Sequence, residues 1–596
     1  MWSGEDEWMC NMVQVEYDKE TAEFPIYDWI TSTIDVTRGE AQLPQNITNP
    51  NVRKLRIDEI RENVDKFKWV PKPTDGDSGW GFPRYVKGAN SLQLTRIFQQ
   101  DQVKSTQSEG AVLSGVAEST FDTIKSIMSP IEELKDYHSL YKHESMTRND
   151  PMNLDDWFSD QSTGRQTLNG IVPLSFKRCT SLPANCDIIN SDVNKILGAD
   201  KTLDGEMEAG KIYISDFSEV FNGVERMEQL YCAQCIALFC VNDKGEFLPL
   251  AIQLVPGSRD HLFTPNDSEE DWLLAKMYLR CAQSNMHQWI YNYLETHACM
   301  EPFGVALFRC LPRAHPIYKL LRPHLRTVSC INNDAKLALL PSKALPGKGI
   351  STKALSLTRK HYKTFSIESL NIPKMIKQFG TDDATLLPNH YYRDDALDHW
   401  EIMEKYASAC IRHYYKCDED VVNDYELKLW AKDVAKEGLG WQDHDTKGMS
   451  ENLTSVDQLI EICVILIFTS SVQHAAVNFG QFETYKFVPN APLAMRLPPH
   501  KKGEANKQRI LDSLPDSLMA GSAISVVFAL SEYSPNEVYL GHFPERRFTE
   551  KIILDIQQNY MKDLQALEAK IKARNEKLEH PYTFLLPSRV PNSVAI

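Results

Sequence analysis

The chain closes with an apolar tail: Pro581 and Tyr582, then Phe584, Leu585 and Leu586, and finally Val594, Ala595 and Ile596. Chain ends are normally solvated and frayed, so a tail apolar to its last atom narrows the folds open to this sequence. It is stable only inside the molecule, and burying it draws the α-carboxylate inward as well. A buried carboxylate needs a cation partner. Upstream, Asn292 and His297 lie on one segment and His474 and Asn478 on another. Two histidines, two amides and a carboxylate suit a divalent first-row metal, and iron with open positions is the usual occupant of a His-plus-carboxylate site.

Spacing tests that idea. His474 and Asn478 stand at i and i+4 and share one face of a regular helix. Asn292 and His297 stand at i and i+5, about 140° apart on an ideal helix. They converge only if the turn takes up an extra residue, which a π-bulge supplies. His287 lies the same interval before Asn292. From spacing alone, hydrogen-bonded core histidines account for the pattern as well as a metal does.

Bulk properties exclude several classes. A length of 596 residues does not limit core burial, and 42% hydrophobic with 24% charged residues reads as an ordinary soluble globular protein. A net charge of -16 argues against nucleic acid or an anionic bilayer as an electrostatically driven partner. The thirteen cysteines show no framework spacing. Cys232-Ala-Gln-Cys235 sits in an apolar run and is expected to be a buried reduced pair rather than a redox centre or zinc site. Sequons begin at Asn46, Asn266 and Asn452, but the N-terminus has neither a basic n-region nor an apolar h-region. No stretch approaches the length of a membrane span. The expected location is cytoplasmic.

Residues 8–30 alternate apolar and polar, as in Met12 to Tyr17 and Phe24 to Ile30, and read as one or two strands. Too little to stand alone, they either join the main body or close a preceding domain. Residues 31–180 are loop-rich, with helical windows at Asp58–Val64 and Phe121–Tyr141. Tyr231–Val255 reads as a hairpin around Asn242-Asp-Lys-Gly245. From Glu269 onward the pattern is helical, with Glu269, Glu270 and Asp271 in a first turn, where carboxylates favour the helix dipole. Further helices are expected over roughly 395–416, 424–437, 455–480, 506–514 and 547–578.

Longer motifs are more specific. Trp272-Leu-Leu-Ala-Lys276, Glu295-Thr-His-Ala-Cys-Met-Glu-Pro-Phe303, Arg309-Cys-Leu-Pro312 and the run His315 to Arg326 occur in order. Gln473-His-Ala-Ala-Val-Asn-Phe-Gly-Gln481, Pro489-Asn-Ala-Pro492 and Pro591-Asn-Ser-Val-Ala-Ile596 follow. In these the chain resembles the lipoxygenases from about residue 8 onward. The resemblance implies a mainly α protein in which 31–596 form a large helical catalytic domain with a small β subdomain. Residues 1–30 would be remnant strands of an N-terminal PLAT-like β-sandwich, too little for calcium-driven membrane docking. It also implies one non-haem iron held by Asn292, His297, His474, Asn478 and the Ile596 carboxylate. The substrates would be O2 and a polyunsaturated fatty acid with a cis,cis-1,4-pentadiene, and the product a conjugated hydroperoxide.

The chain departs from the family at the metal. Asn292 stands where the pattern calls for the first histidine of an H-x4-H pair, and an amide oxygen is a harder, weaker donor than imidazole. Reduced iron retention is expected. Two function classes stay open: an active dioxygenase with altered ligands, or a lipid-binding pseudoenzyme. His287 aligns with a histidine that supports the ligands in relatives. Gln288 and Gln481 would link the metal to the substrate channel. Ala335, Leu339 and Leu530 fall at channel positions, although each leucine reads equally well as ordinary core. Asp334 falls near the place where some animal relatives carry an arginine for the substrate carboxylate, so the anchor must lie elsewhere. Arg165, where relatives carry an aromatic, is the candidate, and Thr163 and Thr167 likewise replace aromatics.

Overall fold

The computed structural model describes residues 8–17, 20–30, 39–70, 83–84, 86, 130–141, 155–198, 200–338, 350, 353–440, 448–533 and 537–595. Strands β1 (Trp8–Tyr17) and β2 (Glu20–Ile30) pair antiparallel, with a register shift between Cys10 and Met12. The alternation does not divide these strands into a core face and a solvent face: Val13, Val15 and Tyr17 are exposed along with Gln14 and Glu16, while Cys10 and Ile26 are buried. An ion pair from Arg546 to Glu23 (3.1 Å) ties the hairpin to the main body.

The small β subdomain is an antiparallel sheet ordered β3 (Lys177–Arg178), β4 (Ile212–Asp216), β5 (Ile236–Val241), β6 (Phe247–Gln253) and β7 (Leu262–Phe263). The expected hairpin is β5–β6. Asn242 Oδ1 accepts from the backbone N–H of Lys244 and Glu246, and Gly245 takes φ 77° to close the turn. Every residue of β5 is buried, so it reads as a continuous apolar run rather than an alternating one.

The rest is helical. Helix α1 (Pro50–Lys66) is capped by Asn49 and extends well beyond the expected Asp58–Val64 window. Its many exposed charges carry no periodic apolar signal. Of the expected Phe121–Tyr141 helix, residues 121–129 lie outside the described residues, and Leu134–Leu140 form a 3-10 turn instead. Helix α2 (Asp160–Asn169), absent from the sequence expectations, packs on β6 through Gly164, where a Cβ would lie 1.7 Å from the Phe247 carbonyl oxygen. Only glycine allows that approach.

Helix α3 (Glu269–Met286) runs without a break into a π-helical segment, His287–Ala298. Then come α4 (Glu301–Cys310), α5 (Val328–Ala338), α6 (Tyr391–Tyr414), α7 (Val456–Phe468), α8 (His474–Asn478), α9 (Ser517–Leu530) and α10 (Lys551–Asn575). Asp433–Gly438 is also π-helical, and of the two π segments that bear on the histidines the second, Thr469–Gln473, joins α7 to α8. From Ile462 to Phe468 helix α7 is apolar all round, as a core helix surrounded by others must be, and Leu459 and Cys463 to Phe468 are at most 1% exposed. Each such side chain contributes roughly 1.5–3 kcal/mol relative to an exposed one.

The expectation that no stretch matches a membrane span is corrected. The helical run Val456–Tyr485 is long and apolar enough to cross a membrane, but 94% of its apolar window is buried inside the protein. The thirteen cysteines form no disulfide, and Cys232 and Cys235 are both buried.

The tail enters the body as its composition demands. Leu585, Val590 and Val594 are fully buried. His399 Nε2 donates to the Leu585 carbonyl (2.8 Å), His324 Nδ1 donates to that of Asn592 (2.9 Å), and Thr327 Oγ1 donates to that of Val594. Ile596 itself lies outside the described residues.

Candidate metal centre

The first π segment resolves the five-residue spacing. With i→i+5 hydrogen bonds, Asn292 and His297 fall on one face. The second π segment delivers His474 at the head of α8. The imidazoles of His297 and His474 meet edge to face with ring centroids 4.9 Å apart. Both are buried. Burial pushes His297 down to about 4, against a smaller opposing effect of Asn332, so its ring is neutral and keeps a lone pair for a ligand.

The amides complete the set. Asn478 Oδ1 accepts from Asn292 Nδ2 (3.0 Å) and from Gln481 Nε2 (2.7 Å). Gln288 Nε2 donates to Gln481 Oε1 (2.8 Å), and Asn478 Nδ2 donates to the Leu530 carbonyl (2.8 Å). Two π-interrupted helices and the end of α9 therefore converge on one point. Two buried imidazoles beside amide oxygen fit a divalent first-row ion, one imidazole short of the family pattern.

His287 is not available to an ion. Its Nε2 donates to the Val477 carbonyl (2.5 Å), between His474 and Asn478, and its Nδ1 accepts from the Tyr485 hydroxyl (3.0 Å). Burial lowers its pKa to about 4, with the Val477 bond opposing, so the neutral tautomer stitches the two ligand-bearing helices together.

The remaining sequence-derived positions are dispersed. Ala335 on α5 is partly buried against the core. Leu530 ends α9 and contributes its carbonyl. Leu339, Ile596 and the Asp334 side chain lie outside the described residues. Arg165 on α2 is a quarter exposed and pairs with Asp156 at 3.1 Å. Thr163 and Thr167 are buried, each with its hydroxyl bonded four residues back, to Ser159 and Thr163 carbonyls.

Sequence reasoning missed Asn332, whose Nδ2 donates to the His297 carbonyl (2.9 Å) and to Glu301 (3.0 Å). It also missed Tyr485 and the tail anchors His324 and Thr327. His324 stands inside one of the long motifs, but nothing in the residue order says that it faces the tail.

The lipoxygenase family model matches residues 90–582. The allene oxide synthase-lipoxygenase protein of Plexaura homomalla is 34% identical over 628 residues, covering 100% of this chain but 58% of that protein. This chain thus spans little more than half the length of that relative. The 12R-type arachidonate 12-lipoxygenase of Rattus norvegicus is 31% identical over 99% of this chain and 89% of its own. Among solved structures, coral 8R-lipoxygenase superposes with a TM-score of 0.91 at 34% identity, over 99% of this chain and 88% of that one. A lipoxygenase variant (Delta413-417:GS) crystallised anaerobically with arachidonate gives a TM-score of 0.94 at 34% identity, over 100% of this chain and 89% of that one. The chain belongs to the lipoxygenase family.

Proposed function

We propose that this protein is an iron-dependent dioxygenase that converts polyunsaturated fatty acids to conjugated hydroperoxides. The observation that carries the reading is the meeting of His297 and His474 from two π-interrupted helices beside a chain of amides. Relatives named for arachidonate, and a neighbour crystallised with it, support the substrate class.

When bound, iron would supply abstraction of a bis-allylic hydrogen atom, after which O2 adds to the pentadienyl radical. The protein's residues do the rest. His297 and His474, both buried, would hold the ion through their ring nitrogens, and the Ile596 carboxylate is assigned to it as the anionic ligand. His287 fixes the spacing of their helices through Val477. The apolar side chains of α7 keep water from that side. Ala335, Leu339 and Leu530 are assigned to the channel wall. Arg165 is assigned to the fatty-acid carboxylate, which would replace Asp156 as its partner. If Arg165→Ala leaves the fatty-acid KM unchanged, that assignment is wrong. Strands β1 and β2 are read as the closing strands of a β-sandwich, and the location as cytoplasmic.

Metal analysis alongside ultraviolet detection of conjugated diene from arachidonate or linoleate tests the reading. Iron near one equivalent with diene formed is the expected result. Metal-free protein that forms no diene overturns it.

A second reading, a lipid-binding protein without productive iron, draws on one observation. Asn292 replaces an imidazole and bonds to Asn478 instead. Diene formation by Asn292→His where the wild type makes none would establish that second reading.

A further inference from the structure

The amides at the centre form a chain with a fixed direction. The Leu530 carbonyl can only accept, so Asn478 must turn its NH2 group toward it (2.8 Å). That places Asn478 Oδ1 on the other side, where it accepts from Gln481 and Asn292. An amide oxygen has two lone pairs, and both are in use. Gln481 is held in turn by Gln288. No atom of Asn478 is left to face an ion.

Asn292 is placed differently. Its Nδ2 donates to Asn478, while its Oδ1 accepts no hydrogen bond among the described residues. It lies on the His297 face of the first π segment and retains 9% exposure. The direction of the chain also settles which way this amide points. With Asn478 offering only an oxygen, Asn292 must offer its NH2, which leaves the oxygen as its unengaged end.

We propose that the two asparagines act together as one ligand, with Asn292 Oδ1 as the amide donor to the metal and Asn478 as a positioning residue that aims it. The assignment rests on the iron site proposed above and names which of its amides binds. It narrows the ligand set that the family resemblance implies, in which both asparagines bind, by taking Asn478 out of it.

Cobalt(II) titration of the full chain, followed by visible absorption, separates the two roles. The d–d bands report the donor set, whereas the dissociation constant reports how well it is preorganised. Asn478→Ala is expected to weaken cobalt binding about 10–100-fold, the usual effect of removing a group that orients a ligand, with wild-type bands at saturation. Asn292→Ala is expected to shift the bands. Asn292→Ser serves as a second variant, with circular dichroism confirming that each one folds. A band shift in Asn478→Ala, or none in the Asn292 variants, overturns the assignment. A wild-type chain that takes up neither cobalt nor iron overturns the metal-centre reading itself, an outcome distinct from a wrong choice of amide.

Discussion

Two buried polar regions of this protein are built from opposite materials. Around α1, Arg56 is clasped by Glu426, their side chains 6% and 0% exposed. Nearby, His315 Nε2 meets Asp424 at 3.0 Å, the Tyr415 hydroxyl donates to the same carboxylate at 2.7 Å, and Arg309 pairs with Asp433 at 2.8 Å. Beneath the metal centre the partners are amides. Arg280, two turns before His287 on α3, donates to Gln166 Oε1 (2.5 Å) and Gln283 Oε1 (2.9 Å). Asn490 bonds to Gln166, and Gln283 to Thr167. Burial alone would lower the Arg56 guanidinium, yet Glu426 holds it above its ordinary value. Among the described residues Arg280 has no carboxylate beside it, and burial pushes it down to about 10. Charge closes on itself in the first region. In the second it is spread over dipoles, so a cation stays uncompensated under the ligand-bearing helix.

The sharpest way to break this contrast is Glu426→Ala. Stranding a buried arginine is expected to cost about 3–5 kcal/mol, read as a lowered denaturant midpoint. An unchanged midpoint would show that the ion pairs add nothing over amides. The converse change, Gln283→Glu, gives Arg280 the anion it lacks. The new oxygen also faces the Thr167 hydroxyl, whose proton already goes to the Thr163 carbonyl, so the net gain is expected to be held to about 1 kcal/mol. No gain in thermal stability would mean that the amide dipoles already suffice.

Asp395 offers an intermediate case, because it pairs with Arg574 at 2.5 and 2.9 Å and yet burial pushes its carboxyl up to about 6. The folded form then keeps a proton that the unfolded chain loses above about pH 4. Stability therefore falls as pH rises through that window, and the penalty is complete above about 6. Asp395→Asn should flatten the slope in denaturation curves taken from pH 4 to 7. A slope that persists would assign it to another group. Arg165→Ala should have the smallest effect, under about 1 kcal/mol, because its partner pair is partly solvated.

Much of the centre was legible because chemistry and spacing agreed. The i, i+5 interval between Asn292 and His297 calls for an extra residue in the turn, and π-helical backbone runs through both positions. The second π segment gives no warning, since Thr469-Ser-Ser-Val-Gln473 joins two stretches that read as one regular helix. Helix α2 is hidden for a different reason. Thr163, Gly164, Gln166 and Thr167 are buried there as polar or small residues, satisfying one another and the Arg280 network, so no apolar stripe marks the helix. The amide chain is illegible for a third reason. Gln288 and Gln481 suggest a link between the centre and its surroundings, but bond direction depends on one backbone carbonyl, at Leu530, that no residue type announces.

The thiols carry a practical consequence. Of the thirteen cysteines only Cys417 is exposed, with Cys186 and Cys330 partly so. Desolvation holds Cys235 and Cys463 above the range where thiolates form at neutral pH. A maleimide added to the native protein should thus label one position quickly and the interior ones only as the fold opens. Counting adducts by mass spectrometry turns each sequestered sulfur into a clock for the opening of its own neighbourhood, from Cys10 on the hairpin to Cys463 in α7.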